Sequence, residues 1–496
     1  MGLPPRLVEI WAEISDLEHA SELAGWDQQV CMPEAASEQR GEMLATLQRL
    51  AHERLIAPET AELLAKTEAQ AGELDAEELA WLRVAVRRHG RAVRVPGALV
   101  AELSRAESSG FAAWTRARRS GRFEDFAPAL GRILGLVRTW ADTQGAPCRY
   151  DALLQEHEPG LQTSRLSALF GELRPALVAL VAQIAARPQV SDAPLRERVA
   201  TDLQLEAGRR ATAAFGYDWG RGRQDLSAHP FSTSFGPDDC RITTRLEPEN
   251  LGEGLFATLH EAGHAIYEQG LPRAWAHGPL GTASSTGVHE SQSRLWENMV
   301  GRSLPFWEFF SPVLAEVAGG PRAGWTARDL YLASNRVAPS FIRVAADEVT
   351  YNLHILLRFE LEQLLVDDRL PLAELPAAWN DGMERLLGIR PPSDREGVLQ
   401  DVHWSGGGFG YFPSYTLGNV LAATWMRQME AAVPDLWSRV RRGDFAPLLG
   451  WLREHIHSRG ATLTPEELTH AVTGEAITAR PYLDYVRGKY GEIYGL

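Results

Sequence analysis

Lysine is almost absent from this 496-residue chain: Lys66 and Lys489 are the only two, so nearly all of its positive charge is arginine. The pattern reads as high-GC coding bias and is weak evidence for thermostability, because the general hyperthermophile signal is enrichment in lysine and glutamate. Positive charge as a whole is in deficit. Lysine and arginine total 50 against 65 aspartates and glutamates, a formal net charge of -15. That balance argues against a nucleic-acid binder, which carries a basic stripe to displace counterions from phosphate. Cysteine is scarce as well. Cys31, Cys148 and Cys240 stand far apart without a Cys-x-x-Cys pair, so neither a disulfide framework nor a thiolate zinc site is expected, and a reducing cytoplasm fits. No apolar run is expected to span a bilayer. The first 26 residues lack the basic start and apolar block of a signal peptide, and Arg6 stands where a myristoylation motif has Ser or Thr.

What is present is helix-forming pattern. Hydrophobic residues at 45% and charged residues at 23% are values of a soluble globular protein, which sets disorder aside. Leu7, Ile10, Trp11, Ile14, Leu17 and Ala20 recur at three-and-four spacing and predict one buried stripe. The same spacing predicts helices over 77-90, 127-141, 175-186, 342-366 and 418-432. Breaks fall at Pro96-Gly97, Gly145-Pro147, Pro188-Pro194, Pro391-Pro392 and Gly406-Gly408. None is long or of low complexity, so residues 1-496 are expected to form one large, mainly α domain. The exception is 231-246, where β-branched and aromatic residues flank Gly236-Pro237-Asp238-Asp239 and predict a small hairpin.

The chemistry is concentrated at His260-Glu261-Ala262-Gly263-His264. Two histidines four apart on a helix share one face, a turn apart, where both can reach one zinc ion, and the intervening glutamate can serve as base. Residues 253-269 are predicted as that helix, closed by Gly270, with Leu255, Leu259, Ala262 and Ile266 buried. A metzincin would have a histidine where Gly270 stands and a glycine where Tyr267 stands, so that branch is excluded. The third ligand must come from elsewhere. Glu290 and Glu297 lie on the next predicted helix, 290-303, and Glu290 is preferred because Arg294, one turn on, can orient its carboxylate.

Taken with His289-Glu290-Ser291-Gln292-Ser293-Arg294, this motif resembles the thermostable carboxypeptidase Taq family of zinc metallocarboxypeptidases. Further marks are His229-Pro230-Phe231, Asp239-Cys240-Arg241-Ile242-Thr243, Ile342-Arg343-Val344-Ala345-Ala346-Asp347, Gly397 to Trp404, and Trp26-Asp27-Gln28 with Met32-Pro33. The resemblance implies a helical, saddle-like homodimer with a deep groove in each subunit, similar to neurolysin and angiotensin-converting enzyme. It implies release of single C-terminal amino acids with broad tolerance, on zinc or, in some relatives, cobalt.

A carboxypeptidase must also recognise a terminal carboxylate, for which the planar fork of arginine is suited. Arg343 and Arg241 are the candidates, with Asp239 and His229 beside them in the substrate-binding set; an ion pair from Arg343 to Asp347 and a hairpin salt bridge from Arg241 to Asp239 are the structural alternatives. His403, Tyr411 and Tyr415 border a glycine-rich turn and can donate to a developing oxyanion. Two rival functions stand beside this reading: a helical oligopeptidase or dipeptidyl carboxypeptidase, and a non-catalytic, metal-stabilised peptide-binding scaffold.

Overall fold

The computed structural model describes residues 2-318 and 324-496. Its described residues form 21 α-helices and one three-stranded sheet, the mainly α architecture expected from the periodicity. The chain divides into two compact units, each assembled from three separated stretches: Met1–Val93, Ser191–Ser334 and Ala422–Ala476 in the first, Arg94–Val190, Asn335–Leu421 and Ile477–Leu496 in the second.

In the first unit the Pro5–Val30 helix buries Leu7, Ile10, Trp11 and Ile14 completely, and Trp11 meets Trp81 edge-on at 5.2 Å. The stripe is interrupted there and burial resumes at Ala24 and Trp26. Leu17 is half-buried and Ala20 exposed. The expected hairpin is present as β2 (Ser232–Ser234) antiparallel to β3 (Cys240–Thr244), and it gains a parallel neighbour, β1 (Gln224–Leu226), giving the order β1-β3-β2. Gly236 makes the turn in the left-handed region at φ 107°. β3 packs on the Leu251–Glu268 helix, to which it is tied by Thr258 Oγ1 donating to Thr244 Oγ1 at 3.2 Å.

That helix begins where the Asn250 side chain accepts from the Glu253 amide at 3.3 Å. Leu255, Leu259, Ala262 and Ile266 face inward as expected, and each large aliphatic among them contributes about 1.5 to 3 kcal/mol by burial. Gly263 governs its approach to the next helix, Thr286–Arg294. A Cβ on Gly263 would lie 2.6 Å from Ser293 Cα and 2.7 Å from the Gln292 carbonyl oxygen. Only a hydrogen there lets the two backbones touch. The second helix was expected to run unbroken to 303. Instead it ends at Arg294 and the chain takes a π-helical turn over Leu295–Val300.

In the second unit the Thr350–Val366 helix is buried almost all round, with Arg358, Glu362, His354 and Asn352 among its interior residues. An α-helix had been expected from 342, but Arg343–Ala345 form a 3-10 turn. Asp347 then caps the helix, accepting from the Thr350 amide at 2.9 Å and the Thr350 hydroxyl at 2.7 Å. Thr163–Ala185 corrects another expectation: it is long and apolar enough, by length and composition, to cross a membrane. Glu172 and Arg174 interrupt the run. Eight of its apolar residues are buried, Phe170 packing edge-on against Phe359 at 5.0 Å.

Candidate metal centre

The backbone contact at Gly263 brings Glu290 to the histidine face of the 251-268 helix. Glu290 Oε2 lies 3.3 Å from His264 Nε2 and 3.6 Å from His260 Nε2. Ligand atoms of all three side chains fall within 4.8 Å of one another. Tetrahedral zinc with bonds near 2.1 Å needs donor spacings of about 3.4 Å, so two imidazoles and one carboxylate fit a divalent cation in donor type and spacing.

Each donor is held from behind. Arg294 Nε donates to Glu290 Oε1 at 2.7 Å, which leaves Oε2 for the histidines. His260 Nδ1 contacts Glu297 Oε2 at 2.9 Å. His264 Nδ1 contacts His289 Nδ1 at 2.5 Å, and His289 Nε2 contacts Glu268 Oε1 at 2.8 Å. Since a carboxylate only accepts, the network assigns the proton of His260 to Nδ1. It likewise runs His264 Nδ1–H to His289 and His289 Nε2–H to Glu268. Both ligand histidines thereby present an unprotonated Nε2.

The electrostatics agree with a cation site. Burial opposes ionisation of Glu290 and Glu297, but Arg294 and the histidines outweigh it and hold both well below the usual carboxylate range. His264 is pushed down to about 3, first by burial and then by neighbouring His289. For His260, burial is outweighed by facing Glu290 and Glu297, which raise it. Glu261 differs from the other acids: burial pushes its carboxyl up to about 7. It is the one acid there poised to exchange a proton near neutrality.

The second unit gathers a different cluster. Arg343 is buried and does not pair with Asp347 as the one-turn spacing suggested, because residue 347 is committed to the helix cap. Its Nε donates to Asp401 Oδ1 at 3.0 Å and its guanidinium to the Tyr351 hydroxyl at 3.1 Å. Arg358 Nε donates to the other Asp401 oxygen at 2.7 Å. Around Arg343 stand Tyr415, with its ring centre 5.1 Å from the guanidinium carbon, and Phe412 at 5.5 Å. His403 stacks on Tyr411 at 5.7 Å and lies 3.4 Å from the Tyr415 hydroxyl.

A family profile described as carboxypeptidase Taq (M32) metallopeptidase matches residues 6–490. The chain belongs to this family. Thermostable carboxypeptidase 1 of Thermus thermophilus is 42% identical over 99% of this chain and 98% of that relative, and the protein of the same name from Pyrococcus furiosus is 39% identical over 97% and 96%. The crystal structure of an M32 carboxypeptidase from Deinococcus radiodurans superposes with a TM-score of 0.96 at 41% identity, covering 99% of both chains.

Of the residues singled out from this M32 sequence, His260, His264, Glu290 and Glu261 are brought together, and Arg343, His403, Tyr411 and Tyr415 form the second group. Arg241 gives Nε and a terminal nitrogen to Asp239, at 2.8 and 2.7 Å, and lies over Trp26 at 4.4 Å; it is the hairpin salt bridge foreseen as the alternative. His229 is exposed and contacts the Pro230 carbonyl at 2.8 Å. Glu297, weighed as a mid-helix residue in water, is instead buried between His260 and Arg302. Glu268 and Asp401 were not singled out for a role. Glu268 carried one signal, its place one further helical turn beyond His264 on the face of His260.

Proposed function

We propose that this metallocarboxypeptidase releases single C-terminal residues with broad side-chain tolerance, with zinc as its native metal and cobalt as a working substitute. Glu261 carries the reading: a buried carboxyl between two histidines whose Nε2 atoms converge with Glu290. His260, His264 and Glu290 would hold the ion. A divalent cation there supplies Lewis acidity, polarising the scissile carbonyl and acidifying an adjacent water. Glu261 takes the proton of that water as it attacks and returns it to the departing amine. Arg343 binds the terminal carboxylate, and a donor among His403, Tyr411 and Tyr415 stabilises the oxyanion, an interaction worth roughly 3 to 4 kcal/mol.

The test is a peptide with a blocked N-terminus, incubated with the enzyme and weighed over time. A ladder of single-residue losses from the C-terminus, abolished by chelator and restored by zinc or cobalt, is the expected result. Two-residue steps or internal fragments would assign the chain to dipeptidyl carboxypeptidase or oligopeptidase chemistry instead. The same reading includes a homodimer, as the resemblance implies, and a cytoplasmic location consistent with three free cysteines. Sedimentation at the mass of one chain would overturn the dimer.

A further inference from the structure

The glycine-rich turn that carries His403 and Tyr411 is fastened at both ends to one buried carboxylate. Glu362, on the Thr350–Val366 helix, is fully buried. Its Oε1 accepts from Trp404 Nε1 at 2.8 Å, and its Oε2 from the Gly410 amide at 3.1 Å and the Tyr150 hydroxyl at 2.7 Å. Trp404 directly follows His403 and Gly410 directly precedes Tyr411, so each point of attachment is the chain neighbour of one ring of the stacked pair. Between them the turn closes on itself, the Gly408 amide donating to the His403 carbonyl at 2.9 Å. Gly410 sits at φ 78°, where a Cβ would come within 2.9 to 3.0 Å of the Leu153 and Leu154 backbone. A side chain is excluded there on both grounds. Trp404 also stacks nearly parallel on Phe409, interplanar angle 2°, inside the same turn.

All three donors to Glu362 are neutral, and burial pushes its carboxyl up to about 7. A core built only for stability has little use for a buried carboxylate whose hydrogen-bond donors are all neutral and on which Arg358 acts only through space, since a hydrophobic residue of similar size avoids the desolvation cost. What the carboxylate adds is geometry: two oxygens accept three donors whose directions fix both ends of one turn.

We propose that Glu362 is a positioning residue for the reaction, holding His403 and Tyr411 as a rigid pair by tying Trp404 and Gly410 to one carboxylate. The proposal rests on the reading of His403 and Tyr411 as oxyanion donors, and a double-mutant cycle separates the two. With the full-length, metal-loaded enzyme and a blocked peptide, Glu362→Gln is expected to lower kcat roughly 10- to 100-fold with KM within about threefold and metal content unchanged. Combined with His403→Ala or Tyr411→Phe, it should add far less than its effect alone, because one disordered turn cannot be lost twice. Trp404→Phe removes one attachment and keeps the other two, so a smaller kcat loss in the same direction is expected even if Glu362→Gln folds poorly. If the double variants lose activity as the product of the single losses, or if KM rather than kcat moves, Glu362 is a structural residue only and the proposal falls. Wild-type kcat in both His403→Ala and Tyr411→Phe leaves Tyr415 as the oxyanion donor and sinks this proposal.

Discussion

Two buried charged clusters, one in each unit, are built with opposite surpluses. Around His260 and His264, the carboxylates of Glu268, Glu290 and Glu297 outnumber the guanidiniums of Arg294 and Arg302, with the Glu261 carboxyl poised near neutrality beside them. Around Asp401, two guanidiniums, Arg343 and Arg358, share a single carboxylate. A buried charge left uncompensated by the protein is costly unless something else supplies the counter-charge. The first cluster therefore suits the divalent cation of a metallopeptidase, and the proposed role of Arg343 in holding a terminal carboxylate would draw on the second. A peptidase that binds a metal ion and recognises a free carboxylate needs one of each.

The largest expected effect tests the cation cluster. Glu261→Gln keeps size and polarity but cannot carry a proton, so turnover should fall roughly 10²- to 10⁴-fold with metal stoichiometry and circular dichroism unchanged. Near-normal turnover would return Glu261 to the status of one more acid balancing the arginines. The anion cluster is tested by Arg343→Met. Asp401 keeps Arg358 as partner, so the fold should persist, while losing a charge-assisted hydrogen bond of about 1.5 to 3 kcal/mol lowers kcat/KM roughly 10- to 150-fold. Metal content should not change. An unaltered kcat/KM would show that the surplus charge serves the architecture alone.

A smaller effect distinguishes ligand from support inside the first cluster. Glu290→Ala removes a ligand atom and should leave the protein largely metal-free. Glu297→Gln removes only the carboxylate behind His260 and should weaken metal affinity roughly 10- to 100-fold, read by competition with a chelating dye. Equal losses in the two variants would mean that the two glutamates share the ligand role.

The cation cluster was far more legible in the sequence than the anion cluster, for a reason of distance. His260 and His264 sit four apart on a helix whose periodicity gave its buried face, and Glu290 follows in the next helix with Arg294 one turn away. Arg343 and Asp401 are 58 residues apart, and no periodicity links them. The nearer carboxylate, Asp347, offered an intrahelical partner that disappears because the helix starts at Thr350. Glu297, 37 residues from His260, had the spacing of an ordinary solvated helix residue, and only the buried packing of Leu295–Val300 makes it a partner of the ligand. The hairpin was readable from its turn residues. Its parallel third strand was not, since Gln224–Leu226 is short and only partly buried. Thr163–Ala185 shows the limit of composition, which scores a helix packed inside a protein and one inside a bilayer alike.

The smallest effect concerns a histidine that shares the first unit with the metal ligands and is buried more completely than His260 and His264. His457 pairs through Nε2 with the Gln292 side-chain oxygen at 3.0 Å, an amide rather than a carboxylate, and its ring packs against the end of the metal helix, where a Cβ on Gly270 would lie 2.2 Å from Nδ1. Burial first, and then Arg453, push its pKa down to about 3. Its folded pKa thus lies below the unfolded value of about 6.5. Above that value both states are neutral and the histidine contributes no pH dependence. As pH falls below it, the unfolded chain takes a proton that the folded one refuses, and stability drops by up to roughly 1.4 kcal/mol per pH unit until the folded pKa is reached. His457→Asn cannot titrate, so although the cavity it leaves should lower stability at pH 7, its unfolding free energy should decline less steeply than the parent's between pH 6 and about 4. Urea titrations of both proteins without metal measure that difference, because the protonation of His260 and His264 is common to the pair and cancels. Parallel slopes would mean that His457 accepts its proton in the folded state, and that burial against an amide does not keep an imidazole neutral at this end of the metal helix.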